Sequence, residues 1–243
     1  MQSLEAELER ARALDVSELA DAVETIGFEC TRCGACCKSE ADDPHTATVF
    51  PDEVRRLQEA AAAGESVGDT PSEGDAQDSV IGEDDTRDWR DVARPMPYGL
   101  VDGDEGPEGE TFEWALQTDA CGDCAFYRED DSGVGACSVH ADRPLICETY
   151  PFSVDVGGTS QPMGEAVDAE GIVRAHECEG LGRDIDRADA ESLAAALKER
   201  AVREVEEAIG VRDAYDPVST DPGEVVVHDS EGAKRPDGSR TDD

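Results

Sequence analysis

The chain has 243 residues, a length that fits one domain with extensions or two small domains. Its 60 acidic residues against 21 basic ones give a formal net charge of −39, which argues against a nucleic-acid-binding surface. No stretch approaches the roughly 18 apolar residues of a membrane span, and the charged start MQSLEAELER lacks the apolar core of a signal peptide, so we expect a cytoplasmic protein without a membrane partner.

Three helices are predicted in the first quarter of the chain. Apolar residues recur at helical spacing between residues 2 and 26, and a break near Asp15–Ser17 divides this stretch into two helices. Ser17 is the predicted N-cap of the second helix. The sequence PDEVRRLQEAAAA predicts a third helix over 51–63, because its proline occupies the first turn, where no amide hydrogen is needed.

The middle of the chain contains an insertion and a strand. Residues 64–90 are polar and rich in glycine and acidic residues, which is typical of an insertion outside the folded core. In TFEWALQ, at 111–117, the large apolar side chains alternate, and this pattern predicts a strand.

The last quarter of the chain is predicted to contain one helix and a tail. Residues 188–209 have the best helical pattern in the sequence, and Gly210 is the predicted stop. From residue 211 to 243 the composition turns to Asp, Gly, Pro and Ser, which predicts a largely disordered acidic tail. Within it, VVVH at 225–228 could form a short edge strand.

Four of the nine cysteines lie in the ten-residue stretch FECTRCGACC. Cys30, Cys33 and Cys36 follow the spacing C-x2-C-x2-C, in which a tight turn brings thiolates to one side of a loop, within reach of one metal ion. Gly34 gives this turn its backbone freedom. Cys37 is adjacent to Cys36, and because neighbouring Cβ atoms diverge, we expect the two thiols not to hold one mononuclear ion together.

The other five cysteines follow between residues 121 and 178, and metal binding is the best explanation for the whole set. Nine is an odd number, and thiols stay reduced in a cytoplasm, so a disulfide framework fits poorly. Aromatic residues make up only 5% of the chain, which indicates a thin core. Metal ligation compensates for a thin core by coupling folding to metal binding.

The segments FECTRCGACC, VFPDEVRRL, CAFYREDDSGVGACSVHADRPLICETYPF and CEGLG resemble the cysteine-cluster proteins named for their CxxCxxCC motif, which are zinc- or iron-chelating domains. The resemblance covers about residues 28–182, and the acidic composition is that of a haloarchaeal-type member. It implies that eight cysteines are the metal ligands: Cys30, Cys33, Cys36, Cys37, Cys124, Cys137, Cys147 and Cys178. Cys121 is an addition to the family pattern.

These observations predict an α+β fold, a small irregular metal-stabilised cysteine-cluster domain with flanking helices. We expect an N-terminal helical segment at 1–27 and the cysteine-cluster domain at 28–182, with its acidic insertion. A C-terminal helix at 183–210 packs on this domain, and the acidic tail follows at 211–243.

The cofactor is predicted to be an iron–sulfur cluster or zinc. Eight thiolates divide into two four-ligand sites, which suits two zinc ions. Runs of C-x2-C-x2-C also hold iron–sulfur clusters, and an adjacent cysteine pair suits a cluster of several irons, so the pattern favours iron–sulfur slightly. The four histidines are weaker candidates, because thiols are already in surplus.

Two functions remain open at this point, and no protein partner is indicated. The favoured one is a metal- or cluster-binding protein of undefined cellular role. The alternative is an iron–sulfur-dependent enzyme, because some flagellin lysine N-methylases look similar over the CxxCxxCC segment. The sequence contains no recognisable nucleotide or methyl-donor motif, so we favour the binding protein.

The acidity of the chain generates the first prediction. Such charge destabilises a compact state through self-repulsion, and in about 1 M salt the Debye length falls to roughly 3 Å and screens it. We therefore expect a halophilic protein whose melting temperature climbs steeply between low and molar KCl. A melting temperature independent of salt would point instead to disorder or to a basic partner.

Overall fold

The computed structural model describes residues 3–39, 45–65, 87–104, 106–157 and 166–241. It has an α+β fold, as predicted. The helices are α1 Leu4–Ala13, α2 Val16–Ile26, α3 Pro51–Glu65, α4 Trp89–Val92, α5 Leu145–Thr149 and α6 Arg187–Ala214. Within these ranges no helix has both the length and the apolar character needed to cross a membrane.

The strands are short and form four small sheets. They are β1 Thr48–Val49, β2 Ala93–Pro95, β3 Val101–Gly103, β4 Gly106–Thr111, β5 Trp114–Leu116, β6 Tyr127–Glu129, β7 Gly135–Cys137, β8 Phe152–Val154, β9 Ala166–Asp168, β10 Val173–His176, β11 Val225–Asp229 and β12 Gly232–Lys234. The strand orders are β1-β5-β2, β8-β10-β9, β12-β11-β4-β3 and β6-β7. All pairs are antiparallel except β11 with β4, which is parallel.

The first of two hydrophobic cores joins the N- and C-terminal helices to one sheet. Helices α1 and α2 pack along α6, and buried residues of β8 and β10 complete the core. The two N-terminal helices were predicted, but the second begins two residues earlier than expected. Its N-cap is Asp15, whose carboxylate accepts hydrogen bonds from the amides of Ser17 and Glu18 at 2.8 and 3.1 Å.

The second core lies around the sheet β1-β5-β2 and helix α3. Trp89 and Trp114 meet edge to face at 5.0 Å between ring centroids, and Phe126 is buried beside them. Of the strand predicted at 111–117, residues 114–116 form β5 in the middle of this sheet, whereas Thr111 ends β4 and Phe112 is exposed between the two strands. Most of the predicted insertion, 66–86, lies outside the described residues. Its last residues belong to the fold, since Trp89 opens α4 and is buried in this core.

The prediction of a disordered tail from residue 211 is wrong for the part that the structure describes. Helix α6 continues past Gly210 to Ala214. This glycine serves close packing rather than termination, because an added Cβ would lie 2.5 Å from the Cβ of Ser230. The segment VVVH is not an isolated edge either, since β11 pairs with β4 on one side and β12 on the other.

The C-terminal hairpin is tied to the second core by a buried ion pair. Asp229 and Lys234 are 2% and 3% exposed, and their charged atoms are 2.8 Å apart. The same carboxylate accepts a hydrogen bond of 2.8 Å from the indole nitrogen of Trp114. The composition of this segment hid its order, because these charged side chains look solvated in sequence and are paired in the fold.

Replacing Asp229 with alanine should therefore destabilise the protein strongly. The change removes the buried carboxylate that pairs with Lys234 and leaves this lysine with Glu231 alone, whose side chain is one-third exposed. Breaking a buried pair costs about 3–5 kcal/mol. The free energy of unfolding, from denaturant titration at high salt, measures the effect. Asp216→Ala, an exposed position in the preceding loop, is the control. Equal, small effects of the two variants would contradict an ordered C-terminal hairpin.

Candidate metal centre

The cysteine loop, residues 30–37, has a backbone that few sequences allow. Arg32 and Gly34 both lie in the left-handed region, with φ of 59° and 79°. A single 3₁₀ turn, Ala35–Cys37, follows, and the amide of Cys37 donates to the carbonyl of Gly34 at 2.8 Å. Two left-handed residues fold the chain back on itself, so four thiols lie within one short loop.

Gly34 is required for a second reason, which is the close approach of Tyr127. A Cβ at this position would lie 2.2 Å from the tyrosine hydroxyl oxygen and 2.5 Å from the ring carbon that carries it. Tyr127 is held in place by a hydrogen bond of 2.6 Å that its hydroxyl donates to Glu129. The loop and the first strand of the β6-β7 hairpin therefore pack directly against each other.

This hairpin and the turn before it bind one side of the cysteine loop through backbone hydrogen bonds. The amide of Cys124 donates to the carbonyl of Cys37 at 2.8 Å, and the amide of Gly135 donates to the carbonyl of Arg32 at 2.8 Å. Cys124 is buried in the second core, against which Cys37, Cys137 and Cys147 also pack.

The turn at 178–181 binds the other side of the loop. The amide of Glu29 donates to the carbonyl of Gly180 at 3.1 Å, and Phe28 forms an antiparallel bridge with Leu181. Phe28 also packs edge to face on Phe152, with 5.7 Å between ring centroids, in the first core. The cysteine loop thus lies where the two cores meet, with Cys178 on the side of the first.

Cys147 is positioned by helix α5, which buried polar side chains hold at both ends. The carboxylate of Glu53, itself 2% exposed, accepts hydrogen bonds from the amides of Leu145 and Phe50 at 2.9 and 3.0 Å. At the other end, Arg200 of α6 donates to the hydroxyl of Thr149 at 3.0 Å. These contacts fix the orientation of the helix and so the direction in which Cys147 points.

Electrostatic interactions connect the eight family cysteines. Burial raises the pKa of four thiols, that of Cys124 to about 11 and that of Cys147 well above its ordinary value. The charge of Cys36 raises the pKa of each of the four further. These four are Cys124, Cys137, Cys147 and Cys178. Cys30 and Cys33 act in the same way on Cys178. The charge of Cys36 thus acts both on thiols of the second core and on Cys178 of the 178–181 turn.

Backbone amides face several of the sulfur atoms. The amide of Gly180 donates to the sulfur of Cys178 at 3.4 Å. The backbone at Phe126 and Tyr127 hydrogen-bonds to Cys124, and that at Val139 to Cys137, in each case lowering the pKa of the thiol. In each of these three cysteines, the sulfur accepts a hydrogen bond from the backbone amide of the residue two positions later. Such bonds favour the thiolate, which is the form that binds metal.

The adjacent pair does not diverge as the sequence led us to expect. The sulfur atoms of Cys36 and Cys37 are 3.8 Å apart, and their hydrogen bond lowers the pKa of Cys36 to about 7 while raising that of Cys37. The 3₁₀ turn is responsible, because it brings successive side chains closer together than extended backbone does. A separation near 3.8 Å also equals the edge of a sulfur tetrahedron with metal–sulfur bonds of about 2.3 Å.

The family model of the CxxCxxCC domain, described as a "Putative zinc- or iron-chelating domain", matches residues 29–179. This match covers more than half of the chain. The protein belongs to the CxxCxxCC family. No curated protein and no solved structure gives a match. The resemblance recognised in FECTRCGACC is therefore confirmed at the level of the family, and with it the general property of metal chelation.

The thiols of this CxxCxxCC protein suit a thiophilic metal in kind, but they do not form a closed coordination shell. Among the described residues, no group of three or more His, Cys, Asp or Glu side chains is arranged to hold a metal ion. Eight thiols come from four segments of the chain that pack around the cysteine loop or against the second core beside it. Cys121, the ninth cysteine, is exposed, and its backbone amide bonds to Asp119.

The histidines take other roles in the described structure. His176 bonds to the hydroxyl of Ser153 at 2.9 Å, and His228 to Glu110 at 3.0 Å. His140 contacts Arg143. His45 is buried, and its ring interacts with the backbone of Cys36, so it supports the loop without presenting a ligand among the thiols.

Sequence reasoning missed the residues that hold the cysteines in place. Glu53 looked like an ordinary first-turn acid of α3, and Arg200 like one charge among many on α6. Arg143 lies within one of the segments that resemble the family, and its guanidinium acts to lower the pKa of Cys36 and Cys137. Only the fold shows that these charges are directed towards α5 and the thiols.

The loop geometry predicts that Gly34→Ala is more damaging than Gly133→Ala. Both glycines have φ of 79°, so both substitutions incur the left-handed cost of about 1–2 kcal/mol. Gly133 has open space around its Cβ position, whereas Gly34 faces Tyr127. Overpacking should add roughly 1–3 kcal/mol at Gly34. Equal losses in unfolding free energy for both variants would show that the loop does not pack on Tyr127.

Proposed function

We propose that this protein binds zinc or iron through eight cysteine thiolates gathered from four segments of the chain. The ligands proposed are Cys30, Cys33, Cys36, Cys37, Cys124, Cys137, Cys147 and Cys178. The observation that carries the proposal is the backbone of the cysteine loop and its flank, which bonds to Cys124 on one side and, through Glu29, to the turn of Cys178 on the other. Without a cation, bringing these thiols together is unfavourable, since each thiolate opposes ionisation of the next.

The chemistry of the donor set supports a soft or borderline metal. Thiolates select zinc, copper(I) or iron over magnesium and calcium, and four of them complete one tetrahedral shell. Eight ligands therefore suffice for two such shells. A bound metal would supply positive charge that stabilises the thiolates at neutral pH, and the amides that face Cys124, Cys137 and Cys178 would stabilise the same form.

For the identity of the metal, an iron–sulfur cluster remains the form favoured by the C-x2-C-x2-C run. The close approach of the Cys36 and Cys37 sulfurs is compatible with a cluster and equally with one mononuclear ion. This distance therefore weakens the argument that an adjacent cysteine pair favours a cluster of several irons.

The proposed role of the metal is structural, at least in part. The cysteine loop joins to both cores through backbone bonds, and metal ligation there would fasten the two cores to each other. Because a metal site rarely exists in an unfolded chain, the free energy of metal binding becomes free energy of folding. The setting we propose is a reducing, salt-rich cytoplasm, which suits free thiols and a net charge of −39.

Chelation is the first test of this proposal. Removal of the metal with a chelator under anaerobic conditions, at molar KCl, should cause loss of far-UV ellipticity, because metal ligation would no longer join the two cores. Cys33→Ser should lower the bound metal per chain and act like chelation, whereas Cys121→Ser should change neither. Full ellipticity after complete metal removal would overturn the structural role.

The enzymatic alternative stays a prediction. Titration of the metal-loaded protein with a methyl donor, followed by calorimetry, decides it directly. Saturable binding would favour an enzyme related to flagellin lysine N-methylases, and the absence of binding would favour the metal-binding protein alone.

A further inference from the structure

A cavity of about 450 Å³ lies apart from the cysteines, between α6 and the sheet β1-β5-β2. Its volume is within the range of small-molecule sites, roughly 300–1,000 Å³. No cysteine is among the residues that line it, so it is distinct from the proposed metal centre. Four of its lining side chains are aromatic, Phe50, Tyr98, Phe112 and Trp114, and four are acidic, Glu113, Glu204, Glu207 and Asp229.

One wall of the cavity is a face of α6. Glu204, Glu207, Ala208 and Val211 follow the i, i+3, i+4, i+7 spacing, so they lie on one side of the helix and all line the cavity. An inward-facing helix stripe is normally apolar, yet here two of its four positions are glutamate. Burial raises the pKa of both carboxyl groups, so ionising them costs more free energy here than in water.

The opposite wall is aromatic. Trp114 is 1% exposed and forms its inner part, while Tyr98 and Phe112 are 64% and 49% exposed. Phe112 is kept in place by stacking on His228 at 5.4 Å between ring centroids. Large exposed aromatic rings beside a cavity are costly to leave in water, and ring faces attract cations.

All the charged side chains that line the cavity are acidic. Among the residues that form the cavity there is no lysine or arginine. Two carboxylates are paired with cations from outside it, Glu204 with Arg200 at 2.7 Å and Asp229 with Lys234 at 2.8 Å. Glu207 instead accepts a hydrogen bond of 2.9 Å from the backbone amide of Ser230, a neutral donor. Its negative charge is therefore not matched by a cation in the contacts of its own side chain.

We infer that this cavity binds a small organic cation of the ammonium class, with its charge near Glu207 and its alkyl groups against Trp114 and Phe112. Carboxylates supply the charge complement, and aromatic faces attract alkylammonium groups. An anion is excluded by four carboxylates. A bare magnesium or calcium ion fits poorly, because it requires six or more oxygen ligands and four of the lining side chains are aromatic.

Choline and its neutral isostere 3,3-dimethylbutan-1-ol provide the test, because they differ mainly in the charge of one atom. The full-length, metal-loaded protein is titrated with each by isothermal calorimetry at one fixed molar KCl concentration. Choline should bind saturably at one site, and the neutral alcohol should bind about tenfold more weakly or worse. Equal affinities, or no saturable binding of choline, would overturn the inference.

Paired variants on α6 locate the site. Glu207→Gln should weaken choline binding by about tenfold, since it removes the charge from the cavity wall. Glu206→Gln makes the same change one residue away, at an exposed position that pairs with Arg12, and should leave affinity unchanged. Thermal unfolding and metal content of both variants verify that the fold is intact. The same loss in both variants would mean diffuse attraction to an acidic protein and would contradict a specific site.

Discussion

The structure depends on the backbone of the cysteine loop and its flanks, which hydrogen-bonds to segments of two separate cores. Neither core is large, and each is built from different parts of the chain, the first from terminal helices and the second from short strands. The cysteine loop contacts both through its backbone, at Cys37 and Arg32 on one side and at Glu29 on the other. Neighbouring thiolates oppose one another's ionisation, and a bound metal ion would neutralise their charge.

The surrounding polar residues make sense as parts of the same arrangement. Glu53 and Arg200 are both buried, and both direct their hydrogen bonds to α5, the helix that carries Cys147. Arg143 brings a positive charge towards Cys36 and Cys137. The chain has only 21 basic residues, and two of its arginines lie around one short helix and the neighbouring thiols. Arg200 holds the helix in place, and Arg143 favours the thiolate form of the cysteines.

The sequence predicted much of the secondary structure and of the cysteine set, for identifiable reasons. Helical periodicity revealed α1, α2, α3 and α6, and the family motif revealed the thiols. Order at the C-terminus was missed because Asp229 and Lys234 become interior residues only when they pair. The end of α6 was misplaced because Gly210 was interpreted as a stop, whereas its missing side chain admits Ser230. The cavity was missed in part for the same reason, since Val211 lines it from beyond the predicted stop and Asp229 from the segment interpreted as a tail.

X-ray absorption at the edge of the bound metal tests the central claim most directly, because it reports the ligand atoms themselves. The account predicts a first shell made of sulfur alone, with about four sulfur atoms per metal at roughly 2.3 Å. This result should persist in the Cys121→Ser variant. A first shell dominated by nitrogen or oxygen would contradict the account, because the thiols would then not be the ligands that bring the two cores together.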